Sequence, residues 1–221
     1  MSKQFWAVIA VIVILFGGIF VLTGNKDSGS TGTGSGKPSN HVQGSTSTGV
    51  TLVEYGDFQC PYCSQFYPVV KQAVDKYKDQ IQFQFVNLPL NQVHQNAFAA
   101  ARAAEAASIQ GKFWEMYDQL YTNQDPNGAT GWVADTSNVL DNYFVKFAKA
   151  AGVTDIDKFK TDFRSSAVNN VINADIAKFK KTGLDMSTPT FILDGKVIKP
   201  GYDIKTFTDP IDAAIKAKAN K

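Results

Sequence analysis

Two cysteines, separated by two residues in Cys60-Pro61-Tyr62-Cys63, are the residues best suited to chemistry, and the chain contains no others. A thiol attacks a disulfide only as its thiolate, and the start of a helix stabilises that anion through unpaired N–H groups and the helix dipole. Pro61 fits the first turn of a helix. Cys63 then lies one turn after Cys60, close enough to form a disulfide with it. We therefore predict that Cys60 is the nucleophile that forms a mixed disulfide with substrate and that Cys63 is the resolving thiol.

Two other interpretations of the cysteine pair are weaker. Half of a zinc site needs two further ligands, and the sequence offers only His41, His94 and carboxylates, with no second Cys-x-x-Cys. A purely structural disulfide is unfavourable because closing so short a loop removes little chain entropy. No metal is expected, and no cofactor other than the redox-active disulfide between Cys60 and Cys63.

Glu54 is the candidate proton acceptor. It precedes the cysteines in a segment, residues 51–56, that is predicted to be a central, buried strand. An unpaired buried carboxylate has a raised pKa and can accept the proton that Cys63 must lose, directly or through water. The alternative is an edge strand on which Glu54 faces solvent.

The elements that must position these residues follow from the hydrophobic pattern. Apolar residues recur at helical spacing after the cysteines, and alternation of polar and apolar residues marks a second strand. Asp194-Gly195 predicts a tight hairpin turn. The resulting order is βαβ, a helical block and ββα: strands over 51–56, 81–86, 190–193 and 196–198, a helical block over about 92–183, and a closing helix that ends near 217. We therefore predict an α/β fold with a mixed central sheet and a helical insertion.

Residues 1–24 are expected to form an N-terminal membrane anchor. Residues 5–23 carry no charge and are rich in Val, Ile, Leu and Phe, and about 20 such residues span a bilayer. A cleaved signal peptide would have a shorter apolar region and a small-residue cleavage site, which this segment matches poorly, and a buried core helix would lie inside a domain. With Lys3 inside, the positive-inside rule predicts a single-pass protein of the cell membrane whose C-terminal domain is extracytoplasmic.

Residues 25–48 consist mainly of Gly, Ser, Thr and Asn. Such a segment buries too little apolar surface to order itself, so a flexible linker is expected, with His41 solvated in it. The globular domain is then predicted over 49–221. Lys and Arg total 22 and Asp and Glu total 20, with the excess of positive charge in the first 48 residues. A neutral domain excludes nucleic acid as a partner.

Three motifs together resemble the DsbA-type branch of the thioredoxin superfamily, including the membrane-anchored versions of Gram-positive bacteria: Asp57-Phe58-Gln59-Cys60-Pro61-Tyr62-Cys63 after a strand, Glu54 before it, and Ser187-Thr188-Pro189-Thr190-Phe191 opening the late hairpin. The resemblance covers residues 50–218. It implies a thioredoxin fold with a helical insertion. It also implies that Thr188-Pro189 is a cis peptide against the disulfide, and that the backbone of Thr188 pairs with an extended substrate.

The sequence departs from this family at Tyr62. The best-known oxidases of the family have a histidine there, which stabilises the thiolate of the first cysteine. Tyr62 cannot supply that positive charge, so a very oxidising disulfide is not expected. The extra dimerisation domain of the dedicated disulfide isomerases is also absent from the sequence, which favours a monomeric oxidase over an isomerase.

Other residues near the motifs are candidates for binding. Phe58, Pro61, Tyr62 and Pro189 are predicted to form an apolar rim for unfolded substrate, together with the Thr188 backbone. His94 either tunes a nearby thiolate or starts and packs a helix, and its spacing favours the second role.

These residues and the resemblance favour an extracytoplasmic thiol-disulfide oxidoreductase that introduces disulfide bonds into secreted or surface proteins. Its expected substrates are reduced or misoxidised secreted proteins. By resemblance, a membrane redox partner such as a quinone-linked oxidase reoxidises the cysteine pair. The alternatives are a disulfide reductase or isomerase, and a tethered chaperone-like module that binds unfolded proteins.

Overall fold

The computed structural model describes residues 36–220. The predicted anchor over 1–24 and the first part of the predicted linker, up to residue 35, lie outside these residues. In the described part of the chain, none of the helices combines the length and the apolar character that crossing a membrane requires.

A five-stranded mixed sheet forms the centre of the domain, with the strand order β1-β3-β2-β4-β5. The central strands β2 and β3 are parallel, and the pairs β1–β3, β2–β4 and β4–β5 are antiparallel. The strands are β1 (His41–Gly44), β2 (Val50–Gly56), β3 (Ile81–Asn87), β4 (Thr190–Leu193) and β5 (Lys196–Ile198). The predicted strands and the mixed sheet are confirmed.

Helices cover the sheet and fill the long connection between β3 and β4. The α-helices are α1 (Pro61–Tyr77), α2 (Ala97–Ser108), α3 (Phe113–Thr122), α4 (Gly131–Ala134), α5 (Val145–Ala150), α6 (Ile156–Phe163), α7 (Ser166–Lys180) and α8 (Lys205–Ala219), and a π-helical turn, Leu140–Phe144, leads into α5. The segment from α2 to α7 is the predicted helical insertion. The Asp194-Gly195 turn between β4 and β5 has positive φ at both residues, as a tight hairpin turn requires.

The two parallel strands share one burial pattern, in which alternate residues face the helices and the last three residues are buried on both sides. This pattern places Glu54 at the centre of the sheet, opposite Phe85 of β3 and Phe191 of β4. At the carboxyl end of β2, a side chain at Gly56 would collide with the Phe85 ring. The end of this strand, where the cysteine turn begins, is therefore closely packed.

The segment before β2 is part of the folded domain, contrary to the expected flexible linker up to residue 48. β1 adds an antiparallel strand to β3. Ser39 donates two hydrogen bonds of 2.7 Å to the buried Asp175 carboxylate. The His41 ring lies 2.7 Å from Glu105 and stacks on Phe113, so the prediction of a solvated His41 is wrong.

The physical reason for this ordering is a cluster of buried polar groups. Asp175 and Glu105 are almost fully buried on α7 and α2, and the Asn87 side-chain amide bridges them. Buried carboxylates need further hydrogen bonds. Ser39 and His41 supply them, and thereby fix the N-terminal segment to the domain.

Candidate active site

Cys60 lies at the start of α1, where the sequence predicts it. It is the residue before Pro61, the first residue of the helix. Its N–H donates to the Asp57 carbonyl at 3.1 Å, and its own carbonyl accepts from the N–H of Ser64 at 3.2 Å. The Cys60 side chain therefore lies at the helix N-terminus, where N–H groups of the first turn lack partners within the helix. Both cysteines are free thiols.

The two cysteines differ in access. Cys60 is 3% exposed and Cys63 is 0% exposed, whereas Tyr62 between them is 60% exposed. An incoming thiol or disulfide therefore reaches Cys60 first. This asymmetry supports the division between a nucleophile and a resolving thiol.

The two thiols also differ in acidity. A hydrogen bond from the Cys63 thiol is the main reason why the pKa of Cys60 falls to about 6. The Thr188 side chain and the backbone N–H of Cys63 add to this lowering, while burial and the Asp57 charge oppose it. Burial and the interaction with Cys60 raise the pKa of Cys63 well above its usual value. At neutral pH the thiolate is therefore on Cys60.

Glu54 is buried beneath the cysteine pair, as predicted. Its exposed fraction is 1%, and burial raises its pKa to about 8. The Tyr117 hydroxyl donates a long hydrogen bond of 3.5 Å to its carboxylate, which lowers the pKa only in part. The negative charge of Glu54 raises the pKa of Cys63, which places the two groups within electrostatic reach. A carboxyl group of this kind can hold or release a proton near neutral pH.

The Thr188-Pro189 peptide is cis, as the resemblance implies, and it lies against the cysteine pair. The Cys60 thiol donates to the Thr188 carbonyl at 3.4 Å. The Thr188 hydroxyl is buried and makes no hydrogen bond among the described residues, which leaves it available to the Cys60 thiolate. A cavity of about 380 Å³ lies beside Pro189 and is bordered by Phe66 and Phe191.

Phe58 is not part of an exposed rim, and its predicted role in substrate binding is wrong. It is 1% exposed, and its ring packs against Phe85, Tyr117 and Tyr121 at centroid distances of 5.0 to 5.8 Å. The turn before the cysteines directs this side chain into the core. Pro61, Thr188 and Pro189 are partly buried around Cys60, and Tyr62 is exposed.

Sequence reasoning gave no role to Asp57 and placed His94 away from Cys60. The structure brings these two residues together: the His94 Nδ1 atom lies 2.7 Å from a buried Asp57 carboxylate oxygen. The sequence signal was the aspartate directly before the cysteine turn, because a buried carboxylate there needs a hydrogen-bond partner. No cluster of His, Cys, Asp and Glu side chains that could hold a metal ion occurs among residues 36–220.

The segment that carries the cysteine pair is similar to known proteins. A family model described as thioredoxin matches residues 37–213. The chain belongs to the thioredoxin family. The matched segment contains the cysteine pair, Glu54 and the cis-proline peptide, and it begins within the segment that had been expected to be a flexible linker.

Several solved structures have a fold similar to that of this chain. A thioredoxin-like oxidoreductase from Silicibacter pomeroyi DSS-3 is 26% identical with a TM-score of 0.63, covering 80% of this chain and 92% of that one. BdbD from Bacillus subtilis, in its oxidised form, is 25% identical with a TM-score of 0.65, covering 82% and 97%. The alpha-DsbA1 protein of Wolbachia pipientis, at 20% identity and a TM-score of 0.63, shares the fold. The described domain therefore has the fold of thioredoxin-like oxidoreductases and DsbA proteins.

The curated relatives of this chain are named as Na(+)/H(+) antiporters. The Na(+)/H(+) antiporter NhaA 1 of Mycolicibacterium gilvum is 35% identical over 175 residues, which is 78% of this chain and 26% of that protein. The protein of the same name in Salinispora arenicola is 33% identical over 177 residues, 79% of this chain and 24% of its own length. The chain thus spans about a quarter of the length of these relatives.

Proposed function

We propose that this thioredoxin-family protein introduces disulfide bonds into secreted or surface proteins. The observation that carries the proposal is the stabilised Cys60 thiolate, with a pKa of about 6, beside a Cys63 thiol that stays protonated. Stabilising one thiolate stabilises the reduced pair relative to the disulfide. The Cys60–Cys63 disulfide is therefore a donor of oxidising equivalents.

The reaction starts from the oxidised protein. A substrate thiolate attacks Cys60 Sγ, a bond forms between the two sulfurs, and the Cys60–Cys63 bond breaks. The electron pair leaves on Cys63, which takes up a proton, and protonated Glu54 is the buried group able to supply it. A second substrate thiolate then attacks the substrate sulfur of the mixed disulfide and releases the Cys60 thiolate. The substrate loses two electrons and gains a disulfide, and the cysteine pair ends as the dithiol.

Exposed apolar side chains around the cysteine pair support unfolded chains as substrates. Tyr62 is 60% exposed, Val93 72%, Met186 43% and Tyr202 50%. The Tyr202 ring packs on Phe66, which borders the cavity beside Pro189. Exposed apolar groups of this kind mark binding surfaces. In this proposal the cis-proline loop and these side chains hold an extended segment of a reduced or misoxidised protein.

The remaining parts of the proposal concern location and partners. Residues 1–24 anchor a monomer in the cell membrane with the oxidoreductase domain outside the cytoplasm. A membrane partner, such as a quinone-linked oxidase, removes two electrons from the reduced pair and restores the disulfide. The uncharged segment over 5–23 and the DsbA-like site support this arrangement.

The reduction potential tests the direction of the reaction. The full chain is equilibrated with defined ratios of reduced and oxidised glutathione, and the fraction of the Cys60–Cys63 disulfide is measured. A pKa of about 6 lies between those of thioredoxin and DsbA, so we expect a potential between about −270 and about −120 mV. A potential at or below about −270 mV would make the protein a reductant and contradict the proposal.

A second assay separates the oxidase from a binding module. The oxidised chain should restore activity to a reduced, unfolded test enzyme, and Cys60→Ser should abolish this. If Cys60→Ser instead protects the test enzyme from aggregation as well as the wild type does, while neither protein forms disulfides, the chaperone-like function replaces the proposal.

A further inference from the structure

We propose that His94 is a positioning residue for the exchange reaction, which stabilises the Cys60 thiolate by neutralising the buried carboxylate of Asp57. The inference rests on Cys60 being the nucleophile, as proposed above, but not on the direction of electron flow. It gives a function to the ion pair between His94 and Asp57 beside the cysteine turn.

Asp57 is a fully buried carboxylate held in a fixed position. Its Oδ1 atom accepts a hydrogen bond of 2.8 Å from the N–H of Gln59, and Oδ2 accepts one of 2.9 Å from the N–H of Leu90. The third partner is the His94 ring, at 2.7 Å from Oδ2. These hydrogen bonds satisfy the buried carboxylate oxygens. A negative charge is therefore held inside the protein next to the catalytic turn.

This charge acts against the reactive thiol. The Asp57 carbonyl accepts the N–H of Cys60 at 3.1 Å, so the two residues are joined through the backbone. A nearby like charge disfavours a thiolate. Asp57 is the charged residue that opposes the hydrogen bonds from Cys63 and Thr188 in setting the pKa of Cys60. A positive charge on the far side of Asp57 cancels this repulsion.

His94 is placed to carry that positive charge and to exchange its proton with water. Its side chain is 18% exposed, and it lines an open cavity of about 340 Å³ together with Gln59, Pro61 and Asp125. The hydrogen bond to Asp57 is the main cause of its raised pKa, and the charge of Cys60 raises it further. The titratable groups that face it are thus Asp57, Cys60 and, across the cavity, Asp125.

The segment that carries His94 has other attachments. The N–H of Asn96 donates to the Gln59 side chain at 2.6 Å, and the Leu90 N–H is bound to Asp57. These bonds hold the segment independently of the imidazole. A substitution of His94 therefore changes the charge beside Asp57 while the local fold is kept.

The first experiment measures the rate of Cys60 alkylation by iodoacetamide against pH in the reduced full chain, with the modified cysteine identified by peptide mass. His94→Gln keeps a hydrogen-bond donor and removes the charge. We expect it to shift the alkylation midpoint upwards by about one pH unit, and to slow alkylation several-fold at pH 6. In an Asp57→Asn background the same substitution should have a much smaller effect.

The matched control is His41→Gln. His41 also lies 2.7 Å from a buried carboxylate, that of Glu105, but it is on β1, and Glu105, unlike Asp57, is not among the charges that act on Cys60. Its midpoint should equal that of the wild type. An unshifted midpoint for His94→Gln, or an equal shift in the Asp57→Asn background, would overturn the inference. A wild-type midpoint near the ordinary cysteine value would instead contradict the proposed nucleophile.

A second measurement needs no variant. Coupling between two titrating groups is reciprocal, so the NMR titration midpoint of His94 should be higher in the dithiol protein, where Cys60 is a thiolate, than in the disulfide form. Identical midpoints in the two redox states would show that His94 and Cys60 are not coupled.

Discussion

The hydroxyl of Tyr117 lies 3.5 Å from the carboxylate of Glu54, in the interior of the sheet below the cysteine pair. This single long hydrogen bond offsets little of the cost of burying the carboxyl group, and the pKa of Glu54 rises from 4.5 to about 8. Glu54 is therefore mostly protonated in the folded state at neutral pH, and its ionisation opposes folding.

Replacing Glu54 with Gln should stabilise the protein at neutral pH. A raised folded-state pKa means that the folded state binds more protons than the unfolded state, so stability is highest below about pH 4.5 and is lost as pH rises through about 8. The variant lacks this loss. We expect a gain of about 3 kcal/mol in the free energy of unfolding at pH 7, measured with urea, and no gain near pH 4. Exposed Glu115, replaced in the same way, serves as the control and should give no such gain.

The same residue should set the rate at which Cys63 resolves a mixed disulfide. Glu54→Ala removes the group that accepts the Cys63 proton, so the step should slow by ~100-fold in rapid-mixing experiments. In the wild type the rate should rise with pH through about 8, as Glu54 ionises. An unchanged rate in the variant would remove Glu54 from the mechanism.

Thr188 should affect the acidity of Cys60 through its hydroxyl group. This hydroxyl is buried and has no hydrogen-bond partner among the described residues, and the Thr188 side chain lowers the pKa of Cys60. Thr188→Val keeps the shape and removes the donor, so the pKa of Cys60, measured by thiolate absorbance, should rise by roughly half a unit to one unit. The control is Thr190→Val, because the Thr190 hydroxyl donates to the Ser187 carbonyl. Equal values for both variants would contradict the role of the hydroxyl.

The segment before β2 should contribute to stability. A chain that starts at Val50 lacks Ser39 and His41, and leaves Asp175 and Glu105 with unmet hydrogen bonds in the core. Each such group costs about 1–3 kcal/mol. Residues 50–221 should therefore unfold at a lower urea concentration than residues 36–221. The free energy of unfolding should be lower by at least about 2 kcal/mol.

Single substitutions refine the comparison between the two fragments. Ser39→Ala should reproduce part of the loss, whereas Ser47→Ala should not, since Ser47 is exposed and its hydroxyl bonds only to backbone carbonyls of the turn before β3. Equal stability of the two fragments would show that β1 and Ser39 add nothing.

Tyr62 should contribute to the binding of protein substrates but not to the chemistry. Its side chain is 60% exposed beside Cys60. Tyr62→Ala should raise the KM for a reduced, unfolded protein about 5- to 10-fold, because exposed aromatic residues often contribute strongly to binding, while exchange with glutathione stays unchanged. Ile109, which is 48% exposed at the end of α2, provides the control, and Ile109→Ala should leave both reactions as they are.

Local patterns were sufficient to predict strands β2 to β5, the helix after Cys60 and the burial of Glu54. Each depends on the spacing of residues that are near one another in the sequence. The cis-proline peptide was predicted by resemblance alone, since no local pattern relates Pro189 to the cysteines.

The incorrect predictions for His41, His94 and Phe58 have one common cause. His41 was assigned to a flexible linker because its neighbours are Gly, Ser and Thr, yet its partner Glu105 is 64 residues away. His94 was separated from the site because Asp57 is 37 residues away. Phe58 was placed in a surface rim with Pro61, Tyr62 and Pro189, yet its ring packs against Phe85 of β3 and the aromatic residues of α3. In each case the deciding contact is distant in the sequence.

Cys60 and its contact Thr188 are 128 residues apart, with the whole helical insertion between them. Contacts between distant residues form late, because the intervening chain must first be brought together. As the polypeptide leaves the ribosome, Cys60 and Cys63 are therefore made long before Thr188, which helps to lower the pKa of Cys60. The nascent chain therefore lacks part of the stabilisation of its Cys60 thiolate until the last third of its sequence has folded.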